Sequence, residues 1–144
     1  MARSSSEIAH AFEALTESAA GTEVVSALCD GVRACPKPDE CFEAMFRLME
    51  RYPEADWGWP GPLVHTMEEF APTYEDALRA SLRRHPTELA VWMVNRVLNS
   101  LRPGQRYDQW VQELRSVDSH PEATESIRAQ ATDHLAFQRD RLSA

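Results

Sequence analysis

HPTELAVWMVNRVLNSL, residues 85–101, decides the fold. Pro86 and Thr87 stand where a helix begins. Proline pre-sets a first-turn dihedral, and threonine offers a capping hydroxyl. Leu89, Ala90, Met93, Val94, Val97, Leu98 and Leu101 then recur at the helical period over a wide apolar arc. Such a helix is buried on most of its surface, and Arg102-Pro103-Gly104 ends it.

Working outward, the same period governs the rest of the chain. Upstream, Ser4 and Glu7 have capping-box spacing ahead of Ile8, Ala11, Phe12 and Leu15. Thr22 is placed to cap a second helix carrying Val24, Val25, Leu28 and Val32. Cys35-Pro36-Lys37-Pro38 breaks that helix, and Asp39 is placed to cap a third, with Phe42, Met45, Phe46 and Met49 on one face. Pro53, Gly58, Pro60, Gly61 and Pro62 make residues 52–62 a loop. Leu63, Val64, Met67 and Phe70 resume a short helix. Thr73 and Asp76 open another, with Tyr74, Leu78 and Leu82 inward. Downstream, Tyr107, Trp110, Val111, Leu114 and Val117 form a helix. Ser119-His120-Pro121-Glu122 opens the last, with Ala123, Ile127, Ala131 and Leu135. No segment has the period-2 pattern of a strand. The expected fold is all-α, about eight short helices in one domain spanning residues 1–144. It is either a compact bundle or a short HEAT-like α-solenoid, the latter hinted at by His85-Pro86 and His120-Pro121, 35 residues apart.

Composition bounds the function. A chain of 144 residues with 43% hydrophobic and 26% charged residues is sized for a globular core. No apolar run approaches the ~20 residues of a membrane span. The N-terminus lacks the apolar stretch of a secretory signal, so the expected location is the cytoplasm. The net charge of −8 is uneven. Residues 39–78 carry −8, with ten acids against Arg47 and Arg51, while residues 79–106 carry +5. The acidic block repels phosphate, which argues against nucleic acid as a direct ligand, and attracts a basic protein.

The chemistry-bearing motifs are sparse. Cys29, Cys35 and Cys41 are spaced C-x5-C-x5-C, which is no usual zinc pattern; they are expected as two apolar fillers and a loop thiol. Asp39 and Glu40 raise the pKa of Cys41 and do not activate it. No nucleophile elbow or phosphate-binding glycine loop occurs. His65, followed by Glu68 and Glu69 on one helical face, is the only histidine near concentrated acid. It supports a small His/Glu-dependent hydrolase as one alternative. No cofactor or metal is expected.

EADWGWPGPLVH, residues 54–65, stands apart. Trp57 and Trp59 flank a glycine in a proline-rich loop, so one indole can anchor the loop while the other stays near the surface. A rigid corner with both buried is the competing arrangement. Glu54, Asp56, Glu68, Glu69, Glu75 and Asp76 ring the loop with negative charge. In the central helix, Asn95 and Asn99 share a face and are expected to hydrogen-bond the proline loop, with Arg96 on one of its acids.

DWGWPGPLVHTME at residues 56–68, the helix at Tyr74 to Leu82, and PTELAVWMVNRVLN at residues 86–99 together resemble small bacterial immunity proteins of polymorphic-toxin and contact-dependent inhibition systems. The resemblance covers roughly residues 52–101. It implies a cytoplasmic protein that binds one cognate toxin, often a nuclease with a basic cleft. It assigns no individual contact residue. The partner-binding residues expected from the loop's own chemistry are Glu54, Asp56, Trp57, Trp59, Glu68, Glu69, Glu75 and Asp76. A helical scaffold or adaptor for another protein or peptide is the main alternative.

Overall fold

The computed structural model describes residues 3–143. Its regular structure is helical throughout: α1 (Ser5–Glu13), α2 (Glu23–Ala34), α3 (Phe42–Arg51), α4 (Gly61–Glu68), α5 (Glu75–Arg84), α6 (Glu88–Asn99), α7 (Gln105–Ser116) and α8 (Glu125–Ser143). Short 3-10 turns lie at Glu17–Ala19, Pro38–Cys41 and Val117–Ser119. The helices gather into two compact units, Met1–Ala77 and Leu78–Ala144.

In the first unit α1 packs on α2 and α3, and α2 on α4. The capping box forms: Ser4 Oγ accepts from Glu7 N–H at 3.2 Å, and Glu7 Oε1 accepts from Ser4 N–H at 3.4 Å. Ile8 and Phe12 are fully buried from α1, and Phe42, Met45, Phe46 and Met49 from α3, as their spacing predicts. Each such side chain contributes about 1.5–3 kcal/mol by leaving water. At the far end of α1, Arg51 donates to the carbonyls of Phe12 at 3.0 Å and Leu15 at 3.4 Å, which tethers α3 to the end of α1.

The ends of three helices differ in detail from expectation. Thr22 is the N-cap of α2, but its hydroxyl donates back to the Ala19 carbonyl at 2.6 Å and caps nothing. Asp39 lies inside the 3-10 turn ahead of α3, whose N-cap is Cys41. The helix α4 begins at Gly61, inside the expected loop, because Pro62 has the dihedral a first turn needs and no N–H to lose there.

The second unit is built on α6, with α7 and α8 packed against it and each other. Thr87 caps α6, accepting from Ala90 N–H at 3.2 Å. Leu89, Ala90, Met93, Val94, Val97 and Leu98 are buried as expected. On α7 the Glu113 carboxylate is buried and would be costly alone. Arg83 closes on both its oxygens, and Arg79 approaches to 3.4 Å while its guanidinium lies over the Trp110 ring at 4.6 Å. These contacts tie the end of α5 to α7. His120 adds another tie. Its Nδ1 accepts from Glu122 N–H at 3.0 Å, so Nε2 bears the proton and donates to the Arg83 carbonyl at 2.6 Å. The last helix, α8, starts at Glu125, later than expected, because His120 and Pro121 belong to this connection and Thr124 supplies the capping hydroxyl to Ile127 N–H.

Asn95 and Asn99 require a further correction. Their side-chain oxygens accept from Gln138 Nε2 of α8, at 2.8 and 2.7 Å, in place of the expected proline-loop backbone. Gln138 is 1% exposed. Its own oxygen accepts from Tyr107 Oη at 3.1 Å and from Arg141 at 2.9 Å. A single amide thus saturates a knot joining α6, α7 and α8. Arg96 stacks over Trp92 of its own helix at 5.0 Å.

Gln138→Leu keeps the volume and strands those polar groups. The expected loss is about 2 kcal/mol, read from urea denaturation. A change under 0.5 kcal/mol would show that water replaces the knot at no cost.

Candidate partner-binding site

The Trp loop is shaped by backbone bonds that its own sequence supplies. After α3 ends, the Tyr52 carbonyl accepts from Ala55 N–H at 3.1 Å and from the Trp57 indole N–H at 3.0 Å. The Trp57 ring is 4% exposed, so its polar handle is satisfied while its apolar area is buried. Asp56 Oδ1 then accepts from Gly58 N–H at 3.0 Å, an Asx turn. Gly58 has φ +96°, and a Cβ there would overlap the Cα of Gly61. Only glycine fits this close crossing. The Trp59–Pro60 peptide bond is cis, as is Ala71–Pro72.

The outcome separates the two indoles. Trp57 is core, and Trp59 is 56% exposed. The arrangement with both buried is thereby corrected: an extended segment would send residues 57 and 59 to the same face, and the left-handed turn at Gly58, φ +96°, breaks that repeat and separates them. Beside the loop, a cavity of about 210 Å³ is lined by Thr22, Val25, Asp56, Trp57, Gly58 and Pro62. The first turn of α2 also presents Val24, half exposed.

The other expected site residues are placed as follows. Glu54 is exposed in the loop, and Glu68 is half-buried in the last turn of α4. Glu69, just beyond α4, is exposed and pairs with Arg33 of α2 at 2.7 Å. The Arg33 hydrogen bond holds its carboxyl below the usual range, against desolvation, which raises it. Glu75 and Asp76 sit in the first turn of α5, where negative charge suits the helix dipole. The structure therefore brings Asp56, Trp57 and Trp59 together in one loop. It gives Glu69, and Glu75 with Asp76, local structural partners as well as charge.

Arg33 is the residue that sequence reading missed. It lies outside the acidic block, yet it donates to Thr66 Oγ1 at 3.0 Å and pairs with both Asp30, at 2.9 Å, and Glu69. Thr66 in turn donates to the Pro62 carbonyl at 2.7 Å, so Arg33 fastens α4 and the loop's exit to α2. Nothing in local spacing pairs residues 33 and 69. His65 is exposed, and with Glu69 engaged by Arg33 its neighbouring carboxylate is a weakened base. No group of three or more His, Cys, Asp or Glu that could hold a metal ion occurs among the described residues.

All three cysteines are free and buried. The expected loop thiol is thus as enclosed as the fillers. The Cys41 thiol is pushed up to about 12, first by burial, then by Cys35, with Glu40 and Asp39 contributing less. Its inertness comes from enclosure more than from the neighbouring acids. No helix is long and apolar enough to cross a membrane among the described residues.

Compared with protein-family models, curated proteins and solved structures, the chain matches none of them.

The loop geometry yields a stability contrast. Gly58→Ala should cost about 1–2 kcal/mol for the left-handed backbone, and more for the clash with Gly61. Gly21→Ala, at φ +75° in open space, carries the backbone cost alone. Urea midpoints should fall further for Gly58→Ala than for Gly21→Ala. Equal midpoints would mean that the crossing of Gly58 and Gly61 is not tight.

Proposed function

We propose that this protein is an immunity-type inhibitor that binds a basic toxin domain and covers its active site. One observation carries the reading: a rigid loop buries one indole and holds the next, Trp59, at 56% exposure, while Asp56, Trp57 and Gly58 of the same loop line a cavity. An exposed tryptophan on a pre-shaped loop is the kind of anchor that dominates interface energies. Its shape is fixed before binding, so little ordering entropy opposes association.

The charge supports the same reading. Residues 39–78 carry −8, which speeds capture of a cationic surface and makes it salt-sensitive. In the bound state Trp59 packs on the partner, and a lysine or arginine of the partner enters the cavity. Its stem lies on Val25, Trp57 and Pro62, and its cationic end meets Asp56. Carboxylates around the loop then stand where substrate phosphates would bind in a nuclease cleft. A standard-size interface of about 800 Å² per partner provides the affinity. The resemblance of residues 52–101 to immunity proteins, carried largely by this same loop, points the same way.

Co-expression tests the proposal. If a toxic C-terminal domain is encoded beside this chain, cells producing it should survive when the wild-type protein is made with it. Trp59→Ala should weaken binding of that domain by about 2 kcal/mol or more. Asp56→Asn keeps the acceptor for Gly58 N–H and removes only charge, so it should weaken binding and reduce its salt dependence. Rescue with affinity unchanged in both variants would remove this loop from the interface. Failure of the wild-type protein to rescue or bind would reject the inhibitor reading.

A further inference from the structure

A second cavity, of about 360 Å³, lies between α7 and α8, apart from the Trp loop. On α7 it is lined by Tyr107, Val111 and Arg115, a row spaced four residues apart on one face. On α8 it is lined by Leu135, Ala136 and Arg139. Its floor is closed where Tyr107 Oη donates to the buried Gln138. No carboxylate lines it.

The two arginines set this groove apart. Many guanidinium groups of this acidic chain are engaged: Arg33 with Asp30 and Glu69, Arg47 with Glu43, Arg83 with Glu113, Arg51 and Arg141 with backbone carbonyls. Arg115 and Arg139 have neither an ion-pair nor a hydrogen-bond partner for their guanidinium groups among the described residues. Two uncompensated cations therefore flank apolar walls.

The register places them at different levels. Tyr107, near the start of α7, meets Gln138, near the end of α8, and the turn at Val117–Ser119 packs on α8. The helices run antiparallel. Arg139 lies towards the Tyr107 end. Arg115 lies eight residues along α7, about 12 Å at 1.5 Å per residue. A ligand matched to this groove has an apolar body along Val111, Leu135 and Ala136, with negative charge at one or both ends.

We propose that the α7–α8 groove binds a small organic carboxylate with a linear apolar body of medium length. Burial of the chain against Val111, Leu135 and Ala136 supplies affinity, and the guanidinium groups supply selectivity for anions. The site lies wholly in the second unit and does not depend on the Trp loop.

Octanoate and suberate test the proposal, with octylammonium as the control of equal length and opposite charge. In methyl-resolved NMR titrations, both carboxylates should shift Val111, Leu135 and Ala136 saturably, and octylammonium should not. Arg115→Gln and Arg139→Gln should each weaken binding about tenfold, while the corresponding lysine substitutions retain most of it. Both arginines are exposed, so circular dichroism should be unchanged in all four variants. Equal binding of octylammonium, shifts centred elsewhere, glutamine variants that bind as the wild type does, or no saturable binding by either carboxylate would each overturn the proposal.

Discussion

The Trp57 indole N–H donates to the Tyr52 carbonyl, and on that bond the character of the candidate site depends. A loop with Pro53, Pro60 and Pro62 has few backbone donors with which to hold itself. Trp57 supplies one from its side chain and buries its ring in the same move. Once Trp57 is fixed, the Asx turn at Asp56 and the crossing of Gly58 with Gly61 direct the chain outward, and Trp59 follows to the surface. Arg33 secures the exit by binding Thr66 and Glu69 on the α4 side. The exposed indole is thus a consequence of the buried one.

The same economy appears in the second unit. Gln138 brings one amide to three helices and leaves none of its hydrogen-bonding capacity idle. Glu113 is a buried charge made tolerable by Arg79 and Arg83. Both are polar groups in otherwise apolar packing. Their contribution is as much to fix which helix meets which as to add stability.

Helix positions were legible in the sequence because period 3.6 is a local property. Phe42, Met45, Phe46 and Met49, and Leu89 to Leu98, are buried where that period places them. The start of α2 at Thr22 was legible, but the role of its hydroxyl, which donates to the Ala19 carbonyl, was not, and the starts of α3, α4 and α8 differ by a few residues. Long-range polar pairing was not legible at all. Asn95 and Asn99 signalled that a polar tie exists, but the partner was 39 and 43 residues away on α8. Arg33 and Glu69, 36 residues apart, carry no signal in their spacing. At the site, the contrast between Trp57 and Trp59 arises from the left-handed turn at Gly58, because an extended segment would place both on one face. Which of the two is inward depended on the Tyr52 carbonyl, and that is a matter of three-dimensional closure.

The central claim is that a pinned Trp57 presents Trp59, and hydroxyl-radical footprinting read by tandem mass spectrometry tests it most directly. The free protein should show rapid oxidation of the Trp59 ring and strong protection of Trp57. Comparable oxidation of both would mean that the loop is not pinned. Comparable protection of both would mean that no indole is offered to a partner.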